Sequence, residues 1–183
     1  MQNPELGWNL SPSPNSTPRP WIVIGLGNPL LGDDGVGWRI VERAAQRYNA
    51  SPHSYPQADF ECLSLGGLSL MERLVGYRKA IIVDSITTGK QPEGTLLSFS
   101  LEDLPALASS YTRSSHDTTL PEAIQVGRMM GAPLPDFITI LAVEARRVYE
   151  FSEELTPAVA AAIPRAEQMI LDLLVEEAAH DLA

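Results

Sequence analysis

Apolar residues along this chain fall into two patterns, short continuous runs and longer stretches at helical spacing. Trp21-Ile22-Val23-Ile24 is uninterrupted and ends at Gly25 and Gly27, as expected of a central strand covered on both faces. After the intervening loop, Val36, Ile40, Val41, Ala44, Ala45 and Tyr48 recur at helical spacing, while Arg39, Arg43 and Arg47 fall on another face. Phe60–Leu65 and Ala80–Asp84 predict further strands, with a short helix around Ser69–Val75 between them, and Phe137–Val143 predicts the last buried strand. Strands alternating with helices imply parallel α/β topology.

One strand breaks that rule. Thr95–Phe99 follows the Ala80–Asp84 run after only about ten residues, too few for the crossover that a parallel neighbour needs, so it is predicted to run antiparallel to its predecessor. Thr119-Leu120-Pro121-Glu122 is a capping box, and the helix it opens should stop near Gly131. Thr156-Pro157 starts a long terminal helix with Val159, Ile163, Ala166, Ile170 and Leu174 inward, in which Pro164 predicts a kink or a late start. The expected fold class is therefore α/β, with a mostly parallel, twisted sheet of five strands carrying one antiparallel strand.

Composition narrows the picture. At 183 residues the chain is expected to hold one core. Residues 1–20, with five prolines among Ser and Asn, predict a flexible tail, leaving 21–183 as a single α/β domain. A net charge of −10 argues against nucleic acid and anionic lipid surfaces as partners. The first 20 residues lack the pattern of a signal peptide, and no run of about 18 apolar residues occurs, so no membrane association is expected. The single cysteine, Cys62, excludes an internal disulfide and a Cys-rich metal cage, which fits a reducing cytoplasm. The acidic residues of 167–183, among them Glu167, predict a solvated helix face.

The loop Gly25-Leu26-Gly27-Asn28-Pro29-Leu30-Leu31-Gly32-Asp33-Asp34-Gly35-Val36-Gly37 invites a nucleotide reading, which its details reject. A dinucleotide fingerprint starting at Gly25 needs a small residue where Leu30 stands. A phosphate loop starting at Gly27 needs lysine where Asp33 stands, so the charge is reversed. Asp33 and Asp34 suit a helix amino terminus, but one cap needs only one of them; the second, Asp34, is left to face the carboxyl edge of the sheet, where open α/β folds place ligands.

Two more groups belong to that edge. Asp84 ends the run Ala80-Ile81-Ile82-Val83, where a carboxylate is either a turn former or a site residue, and His116 lies in a polar loop before the capped helix, where a lone histidine is usually surface. Asp34, Asp84 and His116 together form a carboxylate, carboxylate, imidazole set that suits nickel, zinc, manganese or iron and leaves coordination positions open. A second enzyme reading takes Ser85 as nucleophile with His116 as base, but Ser85 lacks a Gly-x-Ser-x-Gly elbow, and Cys62 lies in a strand that is expected to be buried.

The glycine loop, Ile82-Val83-Asp84-Ser85 and Ser115-His116-Asp117, in this order and spacing, resemble the [NiFe]-hydrogenase maturation proteases. The resemblance runs from about Trp21 to the terminal helix, and the glycine loop is its specific part. It implies a three-layer α/β/α sandwich, with the positions of Asp34, Asp84 and His116 as catalytic and metal-binding residues. It further implies an endopeptidase that removes the C-terminal extension of a hydrogenase large-subunit precursor after nickel insertion, the nickel arriving with the precursor. A monomer acting by metal-assisted peptide hydrolysis is expected, other divalent metals being able to occupy the site. The alternative is a metal-sensing chaperone that binds the large subunit without cutting it. Leu68 after Gly66-Gly67, and Asp117-Thr118-Thr119-Leu120 after His116, depart from the family's usual residues and bear on substrate matching.

Overall fold

The computed structural model describes residues 19–103, 119–146 and 151–180. Five strands form one sheet: β1 (Arg19–Leu26), β2 (Ala58–Leu63), β3 (Tyr77–Ile86), β4 (Leu96–Ser100) and β5 (Phe137–Glu144), in the order β2-β1-β3-β5-β4. All neighbours are parallel except β4, which runs antiparallel to β5. The predicted direction of β4 is therefore observed, while its partner is β5 and not β3. The connection from β3 reaches past β5 to the sheet edge because its backbone is bound by the end of β5: Gly94 N donates to Glu144 O and Glu144 N to Thr95 O.

Helices α1 (Val36–Ala50), α2 (Gly67–Leu74), α3 (Leu120–Met129) and α4 (Pro157–His180) cover both faces. Strand alternation divides the core. Trp21, Val23, Ile81, Val83, Leu141 and Val143 pack under α1 and α4. Ile22, Ile24, Ile82 and Ile140 pack under α2 and α3, which completes a three-layer α/β/α sandwich. Alternation cannot be read in the buried strands of the sequence because both of their faces are covered.

The helix ends follow local rules where side chains supply them. Thr119 and Glu122 form the predicted capping box, and the Thr119 backbone N–H and hydroxyl hold the Glu122 carboxyl below its ordinary range. On α4, the predicted inward residues Val159, Ile163, Ala166, Ile170 and Leu174 are all buried. That helix begins at Pro157 and continues through Pro164, so there is no late start; its first turn is anchored from another segment, as described below. Glu167 is only 7% exposed and accepts from Arg43 Nε (3.0 Å) and Arg47 Nη1 (3.3 Å), which ties α4 to α1 where a solvated face was expected. The two exposed arginines of α1 explain the difference, since they supply the partners that a buried carboxylate requires. Residues 1–18 of the predicted tail lie outside the described residues; Arg19 and Pro20 belong to β1, where Arg19 pairs with Tyr77.

The amino end of α1 meets the sheet without side chains between them. A Cβ on Gly37 would come inside 3.0 Å of Leu26 O and Val83 O, and one on Gly25 inside 3.0 Å of Gly37 O. An alanine in a helix normally stabilises it by about 1 kcal/mol relative to glycine. Gly37→Ala should do the opposite here, lowering the unfolding free energy by about 1–3 kcal/mol through overpacking against β1 and β3. Urea denaturation of the two proteins checks the sign.

Candidate functional site

The packing of Gly37 against β1 and β3 forces residues 27–35 outward over the carboxyl edge of the sheet. Gly32–Gly35 form a short 3-10 turn leading into α1. Gly35 packs against Pro29, where a Cβ would lie 2.7 Å from the proline Cα. Gly27 has φ +122°, and its missing Cβ leaves room for the Asp34 backbone.

Five of the loop's N–H groups are bonded to other parts of the protein, four of them within the loop itself. Asn28 N donates to Asp34 Oδ2 (2.8 Å), and Leu30 N to Asn28 Oδ1 (3.0 Å). Leu31 N donates to Asn28 O, Gly32 N to Ser152 O and Asp34 N to Leu31 O. A phosphate cradle requires such donors to point at the ligand, so the hydrogen bonding agrees with the rejection drawn from Asp33 and Leu30.

The two neighbouring aspartates take different roles. Neither side chain caps α1, contrary to the simplest expectation, because Gly35 is the cap and receives no side-chain bond. Asp33 is 3% exposed; its Oδ1 accepts from Thr156 N (2.7 Å) and its Oδ2 from Thr156 Oγ1 (2.9 Å), at the start of α4. Asp34 remains partly exposed at the loop mouth.

Asp84 stands at the same edge, one residue past the register pair Gly25 and Val83, and partly exposed. It lies on the side of β3 shared by Ile82 and Ile86, and its Oδ1 accepts from Ser85 N (2.8 Å). The fold thus places Asp34 beside Gly27, just past the carboxyl end of β1, and Asp84 near the carboxyl end of the neighbouring β3. His116 lies outside the described residues, three positions before Thr119, the cap of α3. Among the described residues no three His, Cys, Asp or Glu side chains gather closely enough to hold a metal ion. The donor chemistry of the pair nonetheless fits one, since two carboxylates suit a hard or borderline divalent ion, and an imidazole would complete a three-ligand set.

Glu144 was not singled out by sequence. It is 2% exposed at the end of β5, accepts from Thr88 N (2.8 Å), Thr88 Oγ1 (2.6 Å) and Gly89 N (2.8 Å), and so holds the loop that follows Asp84. The only signal available was a carboxylate closing an apolar run, the same signal that marked Asp84.

Other chemistry is less suited to catalysis. Burial, reinforced by the nearby Glu42 carboxylate, pushes the Cys62 thiol up to about 11, away from a reactive thiolate. A cavity of about 450 Å³ between the 101–102 turn and α3 is lined by Leu101, Pro121, Ile124 and Met129 and includes neither Asp34 nor Asp84. Among the described residues no helix is long and apolar enough to cross a membrane.

Known proteins are similar to this chain in sequence and in fold. The profile of the family HycI, hydrogenase maturation protease, matches residues 39–173, beginning just after the glycine loop. The chain is 32% identical over 170 residues to the hydrogenase 2 maturation protease of Escherichia coli K12, covering 87% of this chain and 98% of that one. It is 30% identical over 171 residues to the hydrogenase expression/formation protein HupD of Rhodobacter capsulatus, covering 92% of this chain and 74% of that one. The structure of the hydrogenase maturating endopeptidase HybD from E. coli superposes with a TM-score of 0.69 at 31% identity, over 86% of this chain and 93% of that one. By sequence and by fold, the chain belongs to the hydrogenase maturation proteases, a family of peptide hydrolases.

Proposed function

We propose that this protein is the endopeptidase that removes the C-terminal extension of a [NiFe]-hydrogenase large-subunit precursor after nickel insertion, with Asp34, Asp84 and His116 as the working residues. The observation that carries this reading is the pair of partly exposed carboxylates, Asp34 in the turn that follows β1 and Asp84 near the carboxyl end of the adjacent strand β3. Family membership supports the protease chemistry. The nickel belongs to the substrate, as cargo of the precursor.

Each residue has a part that follows from its surroundings. Asp34, fastened by Asn28 N, offers its carboxylate at the loop mouth, and Asp84 offers a second one from β3. His116 would add an imidazole from the chain leading into α3; three residues span at most about 10 Å, so Thr119 limits where it can reach. A divalent ion held there would polarise the scissile carbonyl or acidify a water. The three side chains leave positions for the substrate's own groups, so a precursor lacking nickel would present an incomplete partner to the site.

Mass spectrometry of precursor incubated with the protein tests this. Nickel-loaded precursor should lose its C-terminal extension and nickel-free precursor should not; equal cutting of both would reject nickel sensing, and binding without a mass change would reject proteolysis. Asp34→Ala, Asp84→Ala and His116→Ala should each reduce cleavage by at least about 100-fold while leaving the fold intact, whereas Ser85→Ala should retain most activity.

A cysteine mechanism makes a different prediction. With its thiol at about 11, Cys62 should react with iodoacetamide at pH 8 far more slowly than a free cysteine, and cleavage should survive the treatment. Rapid labelling accompanied by loss of activity would return Cys62 to consideration.

We further propose that the segment before β1 contributes little to the domain core. Deleting residues 2–18 should leave the thermal midpoint and cleavage nearly unchanged, as scanning calorimetry and the precursor assay would show.

A further inference from the structure

Asp33 is a buried carboxylate beside the site that the proposed chemistry does not use. Both of its oxygens are occupied by one residue, Thr156, which is 123 positions away and directly precedes α4. The same segment grips the loop a second time: Ser152 N donates to Leu30 O (2.9 Å), and Gly32 N donates to Ser152 O (2.6 Å). Ser152 Oγ in turn accepts from Glu154 N (3.0 Å), which shapes the segment between the two grips. Residues 30–33 are therefore clamped from outside by 152–156, while the glycine contacts with β1 and β3 hold the loop from inside.

We propose that Asp33 and Thr156 are a positioning pair that fixes where Asp34 stands at the site. The inference rests on the proposed role of Asp34. Asp33 and Asp34 share a peptide bond within a 3-10 turn, so immobilising the Asp33 side chain fixes the backbone from which the Asp34 carboxylate projects. The bond runs to the amino end of α4, where a carboxylate is favoured by the helix dipole and by unpaired N–H groups. The placement of Asp34 therefore depends on the docking of α4. Asp33 is buried, so its loss should act through Asp34 on the chemical step and leave binding alone.

Thr156→Val removes the hydroxyl while keeping the side-chain shape and the backbone N–H; Thr156→Ser keeps the hydroxyl. A misplacement of about 1 Å at a reacting group costs on the order of 100-fold. In the precursor assay, Thr156→Val should lower kcat by at least about 10-fold with KM within about 2-fold, and Thr156→Ser should restore kcat. Amide hydrogen exchange at Gly32 and Asp34 should be faster in Thr156→Val than in the parent, and this readout does not depend on cleavage. Should Thr156→Val fail to fold, Asp33→Asn, which preserves shape and removes charge, should show the same split between kcat and KM.

Unchanged kcat in a folded Thr156→Val, an equal loss in the valine and serine variants, or a rise in KM alone would overturn the positioning pair. A parent protein that fails to shorten the precursor would instead reject the proposed function. In that case exchange still decides the pair: equal rates at Gly32 and Asp34 in parent and Thr156→Val overturn it, and faster exchange in the variant supports it.

Discussion

The approach of the α1 backbone to the ends of β1 and β3 is the constraint on which the site depends. A helix normally stands off a sheet by the depth of its side chains, but here Gly25 and Gly37 remove them at the point of closest contact. The chain between β1 and α1 then has no room beneath the helix and must arch over the carboxyl edge. Asp33 and Asp34 occupy that arch as consecutive residues of a 3-10 turn. One reaches sideways to α4 and is buried, and the other remains at the mouth.

Burial therefore separates the scaffold carboxylates from the two proposed for the site. Asp33, Glu144 and Glu167 are all buried, and each is supplied with donors: Thr156 for the first, Thr88 and Gly89 for the second, Arg43 and Arg47 for the third. A buried charge with its oxygens bonded is tolerated, while removing its partner leaves a large desolvation penalty. These residues hold loops and helices in place. Asp34 and Asp84 are less deeply enclosed, which is what the proposed role of meeting an incoming ligand would require. Part of the chain's acidity is thus consumed in holding together the frame around the site.

Legibility in the sequence followed the range of the interaction. The strands around Ile22–Ile24, Ile81–Val83 and Ile138–Val143, the inward face of α1 and the Thr119–Glu122 capping box were readable because each is encoded in neighbours or in a short period. The partial exposure of Asp34 and Asp84 at the carboxyl edge was foreshadowed locally, by a second aspartate at a helix start that needs one and by a carboxylate closing an apolar run. The partner of β4, the bond from Asp33 to Thr156 and the pairing of Glu167 with α1 were not readable. They join segments far apart in the chain through single side-chain or backbone contacts, which leave no periodic trace.

The same distinction explains why the glycine loop looks like a nucleotide site. Glycines between a strand and a helix report that backbones must come close, and that requirement is common to phosphate loops and to this chain. What differs is the destination of the N–H groups. In a phosphate loop they converge on an external anion, and a lysine neutralises what remains. Here Asn28 N is bound to the carboxylate of Asp34, so the loop carries its own anion in the place where a nucleotide would bring one. That carboxylate cannot share the position with a phosphate, because like charges repel and the donor is already taken. Of the two aspartates that reverse the charge expected of a phosphate loop, Asp33 is buried against Thr156 and Asp34 alone stays partly exposed, so the loop that resembles an anion cradle presents a carboxylate instead.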